Sequence, residues 1–321
     1  MLRTFSSFPK NRQPVTSGTL SALIQLQRQD LLTGLVDVAY EDGSQALLFF
    51  NVGTPFVMFF KTEENWRKVP PSQWSDMFAR PNGAAAIVPL GGDALRISLL
   101  AMEAGSDETE AILIRPAGLR AHMTELKTRD AASLLWVKHE ALQAMIIVPG
   151  RNVPIQDAVT FSPSGVSTDG EAVANLTGLG DQLLHILQFE YPGFPDFLGE
   201  YALRVVFLTL AESSLKRFEE LAGDALVDSL GQEVNRYAFH QGWKIQFFGE
   251  RVQHRQFFQS GTEASAVYRG LFRTMREYAH RVVGGALATG MLSEGLGALP
   301  AAYRDVFERQ NFIAAARGET I

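Results

Sequence analysis

The residue types able to do chemistry gather in the last third of the chain. Glu277-Tyr278-Ala279-His280 sets a carboxylate and an imidazole three apart, on one helix face, as di-iron bundles require. Glu250 and His254, four apart, would share a face if their segment were helical. A di-iron centre needs two Glu-x-x-His pairs and two more inward glutamates. One such pair is present, and Glu212, Glu219 and Glu233 are the spare carboxylates, with Glu219 and Glu220 reading as a solvated face. Surface polar pairing is the stronger reading, so no metal, cofactor or catalytic residue is expected.

Two other constellations are candidate binding surfaces. Arg269, Arg273, Arg276 and His280 recur at helical spacing opposite an apolar stripe, a basic line able to dock an acidic partner or an anionic ligand. The bland alternative is the wet side of an amphipathic helix, balanced by Glu263 and Glu277. Phe247, Phe248, Arg251, His254, Arg255, Phe257 and Phe258 interleave aromatics with bases between two helices. They could line a ligand pocket or grip a partner. The alternative is a plug for the open end of a bundle, with Phe inward and Arg outward.

Several enzyme classes are excluded by what the chain does not contain. It has no cysteine, which removes thiolate metal sites, disulfides and cysteine nucleophiles. It has no Gly-x-x-x-x-Gly-Lys-Ser/Thr, no Gly-x-Ser-x-Gly and no His-Glu-x-x-His. The glycine-rich run 290–297 lacks a lysine and places Glu294 where phosphate would sit, so it reads as a helix terminus and turn. Gly178-Leu179-Gly180-Asp181 is half a dinucleotide fingerprint, better read as a glycine-rich cap before a helix over 182–189. Ser162-Pro163-Ser164-Gly165 is turn chemistry.

The elements that must position these residues follow from periodicity. Residues 1–16 are a polar, basic tail expected to be flexible. Thr19 can cap a helix with Leu20, Leu23, Ile24 and Leu31 inward, ended by Gly34. Strands follow over 35–40, 46–50 and 56–60, joined by Asp42-Gly43 and by the turn 51–55. After a polar connector, a short helix carries Trp74, Met77 and Phe78 behind Ser72. Further strands are predicted over 84–88, 95–102 and 111–115, with an acidic loop around Asp107. A helix over 119–137 leads to strands over 142–148 and 153–161. This order, helix then apolar strand, turn and strand, repeats the first unit and fits either a duplication or a chance recurrence.

Beyond the Pro/Gly-rich punctuation at 191–195 the pattern turns helical. Residues 198–222 are apolar nearly all round at 201–211, a central helix. Asp224 caps a helix with Leu226, Leu230, Val234 and Tyr237 inward; 243–248 is a short strand or loop. A helix over 263–283 turns Ala264, Val267, Leu271, Met275, Tyr278 and Val282 inward, and another after Pro300 carries Tyr303, Val306 and Phe307. Each stripe needs a partner, which predicts a four-helix bundle.

The run Gly18-Thr19-Leu20 through Leu32-Thr33-Gly34-Leu35-Val36-Asp37-Val38 to Leu48-Phe49-Phe50-Asn51-Val52-Gly53 resembles a PATAN domain, found at the amino terminus of some bacterial response regulators. The resemblance covers about residues 17–60. It implies a protein–protein adaptor in bacterial signalling, motility or surface behaviour, and brings no catalytic residue. After Gly53 the chain departs from the pattern with Thr54-Pro55-Phe56, and no receiver-type acidic pocket with a lysine follows.

The expected fold class is α+β: a flexible tail 1–16, a PATAN-like α/β domain 17–115, a second α/β unit 116–191, and a helical bundle 196–321. The expected function is a non-enzymatic adaptor or regulator with a protein partner, the bundle offering a surface for docking or homo-oligomerisation. A small-molecule sensor with its pocket near 247–258 is the alternative, and a metal-dependent bundle enzyme a third. The net charge of −6 argues against a nucleic-acid partner for the whole chain. The start lacks an apolar secretory core, and no run approaches the ~18 apolar residues of a membrane span. With no cysteine, a cytoplasmic location fits.

Overall fold

A computed structural model describes residues 12–62, 65–104, 111–129, 131–140, 142–151, 153, 157–162, 165–191, 199–299 and 301–309. The acidic loop around Asp107, the run 192–195, Pro163, Ser164 and Pro300 lie outside them. The fold is α+β with antiparallel sheets. The chain divides into two compact units, the first made of Met1–Met123, Ser133–Val148 and Gln156–Phe189, the second of Thr124–Ala132, Pro149–Ile155 and Glu190–Ile321.

The first unit holds two six-stranded sheets. The leading one is built from β1 (Gln13–Thr16), α1 (Ser17–Gln29), β2 (Gly34–Tyr40), β3 (Gln45–Asn51), β4 (Thr54–Thr62), β5 (Asn65–Val69), α2 (Trp74–Phe78) and β6 (Asn82–Pro89). Its strand order is β1-β6-β2-β3-β4-β5. Residues 13–16, expected in a mobile tail, are thus an edge strand paired antiparallel with β6. Thr16 rather than Thr19 caps α1: its side chain accepts the Thr19 N–H while the Thr19 hydroxyl accepts the Thr16 N–H, a reciprocal cap. The helix stops at Gln29, and Leu31 lies beyond it with φ +54, mostly exposed.

One face of this sheet, with Val36, Val38, Leu48, Phe50 and Phe60, packs under Leu20 and Ile24 of α1 and Trp74, Met77 and Phe78 of α2. Leu35, Leu47 and Phe49 on the other face are buried as well. Burial on both faces explains why these strands read as continuous apolar runs instead of alternating ones. Two of the three glycines that carry the PATAN resemblance meet steric demands of the fold, while Gly18 has open space around it. Gly34 has φ +151 and a Cβ there would meet the Val88 carbonyl at 2.2 Å. Gly53 has φ +74 and a Cβ would lie 2.5 Å from the carbonyl of Arg28, at the end of α1.

The second sheet contains β7 (Ala111–Ile114), α4 (Leu119–Leu126), β8 (Ala132–His139), β9 (Leu142–Val148), β10 (Asp157–Ser162), β11 (Gly165–Thr168), α5 (Asp169–Thr177) and β12 (Leu184–Tyr191). Its order is β7-β12-β8-β9-β10-β11. Position for position this is the order of the first sheet, with helices interposed at the same two points in the chain. The repeat in strand order therefore starts at β7 and is longer than the segment 119–166 in which the sequence hints at it.

Between the sheets in sequence lies α3 (Gly92–Ala104), which packs on β9, β10 and β11. The expected strand over 95–102 is this helix. Leu95-Arg96-Ile97-Ser98 alternates like a strand, but both polar residues are buried with local partners. Arg96 pairs with Asp93 at 2.7 Å, one helical turn back, and the Ser98 hydroxyl donates to the Ala94 carbonyl at 2.6 Å. The helix predicted over 119–137 stops at Leu126, and 132–139 is β8, where pairing with β9 overrides the helix preference of its Ala and Leu. The helix predicted over 182–189 is β12, whose Leu184 and Ile186 are buried while His185 between them is exposed.

The second unit is helical: α6 (Gly199–Ala222), α7 (Asp224–His240), the hairpin β13 (Ile245–Phe248) and β14 (Arg251–His254), α8 (Gly261–Val283), α9 (Gly285–Ala298) and α10 (Ala301–Arg309). Among the described residues it has five helices, not four. The run 290–297 lies inside α9 instead of ending a helix, because packing against α6 and α8 holds the glycines helical. As its composition demands, α6 is central, in contact with each of the other four helices. Gly223 rather than Asp224 is the cap of α7, whose inward residues are Val227, Leu230, Gly231, Val234 and Ala238. Tyr303 of α10 donates its hydroxyl to the Pro149 carbonyl at 2.7 Å, so the turn after β9 belongs to this unit.

Candidate functional site

The candidate residues occupy two places in the second unit. The first is the hairpin β13–β14, closed by the two-residue turn Gly249-Glu250. Its alternation puts Ile245, Phe247, Val252 and His254 inward and Gln246, Phe248, Arg251 and Gln253 outward. Glu250 and His254 therefore sit on a strand and its turn, not on a helix face.

Side chains of the flanking helices seat the hairpin. Asn235 of α7 binds the backbone of Phe247 twice, accepting its N–H at 2.7 Å and donating to its carbonyl at 2.9 Å. In a two-residue hairpin the ladder bonds fall at Phe248/Arg251 and Gln246/Gln253, so Phe247 presents both groups on the free edge that Asn235 meets. Glu212 of α6 accepts the Val252 N–H at 3.2 Å, and the buried Arg204 donates to the His254 carbonyl at 3.3 Å. His254 Nε2 lies 2.8 Å from the Tyr268 hydroxyl of α8. Phe207 stacks on Tyr268 with centroids 4.3 Å apart and an angle of 6°, and the edges of Phe272 and Phe247 close on Phe207. Phe258 stands perpendicular to Tyr268 at 5.6 Å.

The cluster is a packed aromatic seat with a polar seam. His254 is only 4% exposed, and Phe247, Phe257 and Phe258 are buried with it. Of the seven aromatic and basic residues singled out from the sequence, these four are brought together, and Arg255 is exposed. Phe248 and Arg251 stand outside, with Phe248 57% exposed. Sequence reasoning missed Tyr268, Phe207, Arg204 and Asn235. Tyr268, four residues after Ala264 on the apolar face of α8, was detectable by its period; Asn235, polar toward a neighbour, was not.

Carboxylates line the outer part of α6 beside the hairpin. Burial pushes Glu212 up, while the Val252 amide and the Arg251 charge pull it down. Hydrogen bonding to Glu250 pushes Glu219 up to about 7, and the like charges of Glu250 and Asp224 act the same way.

The second place is the outer face of α8. Arg273 and His280 are exposed and Arg269 and Arg276 half-buried, opposite the buried Ala264, Leu271 and Met275. The four span twelve residues, about 16 Å of helix. Glu263 does not balance them: its N–H donates to the N-cap Ser260 hydroxyl at 3.2 Å and its carboxylate accepts the Gln259 N–H at 3.0 Å, so it is engaged at the start of α8. Among the described residues, neither Arg269 nor Arg273 has an ion-pair partner. Tyr278 is half-buried and Val282 is 39% exposed, so the apolar stripe frays toward the C-terminus of α8. Glu277 and His280 both face solvent, and among the described residues no three His, Asp or Glu side chains are grouped to hold a metal ion. No described helix is long and apolar enough to cross a membrane. No family model matches the chain, and neither a curated protein nor a solved structure matches it.

Proposed function

We propose that the chain is a non-enzymatic protein–protein adaptor that docks an acidic partner along the outer face of α8. The observation that carries this reading is the line Arg269, Arg273, Arg276 and His280, in which two arginines have no acid partner among the described residues. Arginines left without acids near a surface favour approach and orientation of an acidic face over their own stability. The PATAN resemblance at 17–60 supports the same reading and suggests a cytoplasmic role in bacterial signalling, motility or surface behaviour. The rings of 247–258, the site of the sensor reading, are engaged with one another and with α6 and α8, which leaves that reading with less support.

The test is binding of an acidic partner from the native host to the wild-type chain and to the Arg269→Glu/Arg273→Glu variant at two ionic strengths. The adaptor reading expects binding that weakens as salt rises and is lost in the variant. Equal binding by both proteins would remove α8 as the docking face.

A further inference from the structure

Asp37 is a carboxylate in the middle of β2 with no exposed surface. Across the ladder it faces Leu47 of β3 and Ala86 of β6. Its Oδ2 accepts from Arg12 Nη2 at 2.6 Å and its Oδ1 from Gln45 Nε2 at 2.7 Å. Arg12 is the residue before β1, and its Nη1 reaches the Ala84 carbonyl of β6 at 3.5 Å. The counter-charge for a buried strand position thus comes from the N-terminal arm. Among the described residues that arm lies on the sheet as the edge strand β1, paired with β6 alone.

The second sheet is an internal comparison. There β8 holds the place of β2 and reads Ala132-Ser133-Leu134-Leu135-Trp136-Val137-Lys138-His139, with no acid. The edge strand in the place of β1 is β7, which reads Ala111-Ile112-Leu113-Ile114. The same strand order forms without an acid on the strand that takes the place of β2, so the architecture does not require one there. A buried pair is a weak source of stability beside apolar packing, yet breaking it by removing one partner is severe. Its effect here is to couple two things: whether β1 is seated, and whether Asp37 is charged.

We propose that β1 is a proton-gated strap: Arg12 holds it on β6 while Asp37 is ionised, and protonation of Asp37 releases it and opens the β6 edge at Gly83, Ala84 and Ala85. The sign follows from linkage. With the strap seated, Arg12 and Gln45 favour the charged carboxylate, though burial still pushes Asp37 above its ordinary value. With the strap lifted, Asp37 keeps its apolar surroundings and loses its cation, so its proton affinity rises further. Protonation therefore favours the lifted state, and release sets in as pH falls through the window above the ordinary carboxylate value. Among the described residues Arg12 is the charged group acting on Asp37; β3 offers the neutral Gln45, and β6 offers Ala84 and Ala86.

The experiment is amide hydrogen exchange on the full chain at about pH 5 and about pH 7.5, corrected for intrinsic rates, in wild type, Asp37→Asn and Arg12→Gln. In wild type, protection of 13–16 and of 83–85 should fall at least roughly tenfold at the lower pH, the change one unit of pKa difference produces, while the β2–β3 ladder stays protected. Asp37→Asn should remove the pH response. Arg12→Gln should leave 13–16 unprotected at both pH values with β2–β3 intact, and it decides the matter alone if Asp37→Asn does not fold. Equal wild-type protection at both pH values overturns the proposal, as does a wild-type pH response that survives in either variant.

Discussion

Replacing Asn235 by alanine tests how the hairpin is seated on the bundle. The substitution deletes both hydrogen bonds to the Phe247 backbone, at 2.7 and 2.9 Å, and leaves a half-buried N–H and carbonyl on the strand's free edge. Each net hydrogen bond is worth about 1 kcal/mol, and leaving the partner group unsatisfied raises the loss to about 1–3 kcal/mol. Because the site is half-buried, water recovers part of this, and a loss of about 2–3 kcal/mol in attachment of the hairpin is expected. Every 1.4 kcal/mol is tenfold, so local opening of 245–254 should rise by roughly 30- to 150-fold. Hydrogen exchange of 245–254, with α8 as the internal reference, reads this directly. Asn235→Asp keeps the acceptor for the Phe247 N–H but sets an oxygen against its carbonyl, and should fall at least as far. Protection of 245–254 unchanged within about threefold would refute the role assigned to Asn235. So would an equal loss across α8, which would mark global unfolding.

Three further outcomes follow from the same geometry. Tyr268→Phe removes the hydroxyl 2.8 Å from His254 Nε2 while keeping the stack on Phe207; a loss of about 1–2 kcal/mol is expected in denaturant unfolding of the bundle, and no loss would sink the pairing. Glu219, pushed up to about 7, binds a proton more tightly folded than unfolded, so its contribution is present at acid pH and lost as pH rises through about 7. Glu219→Gln should accordingly melt above wild type on the alkaline side of neutrality, with the gap closing toward acid pH; a gap that widens toward acid contradicts the sign. Gly53→Ala forces a Cβ to 2.5 Å from the Arg28 carbonyl at a left-handed turn, and should cost more than about 1 kcal/mol in unfolding measurements.

How much could be read without coordinates depended on which elements carried a single dominant signal. Turn chemistry placed Asp42-Gly43 and the hairpin it closes, and the all-round apolar run of α6 made it central. The signal misled where burial erased the period. In α3, Arg96 and Ser98 imitate a strand's polar face only because their local partners allow them inside. In β8, residues with high helix propensity are claimed by pairing with β9. Short edge strands such as β5 and β11 gain most of their order from a neighbour and leave little trace in their own residues. At the site, the plug pattern of Phe inward and Arg outward was legible for Phe247, Phe257, Phe258 and Arg251, while Phe248 faces outward against it. The anchoring by Asn235, Glu212 and Arg204 was not, because each lies on a helix outside the hairpin and looks like an ordinary helix residue.

The repeated strand order changes how the PATAN-like segment is understood. Two of its glycines answer steric demands of one six-stranded module: Gly34 where β2 approaches β6, Gly53 where a turn approaches α1. A pattern of this kind specifies architecture, and the docking face proposed above lies elsewhere, on α8.

The most direct measurement of the adaptor account is a paired capture from native extract, using wild type and the Arg269→Glu/Arg273→Glu variant, with matched melting curves and native mass spectrometry of both proteins. The account predicts an acid-rich protein retained by wild type, released by salt and absent with the variant, while the two melt alike. The same set retained by both proteins, or a small molecule held in the bundle of the purified chain, would contradict it.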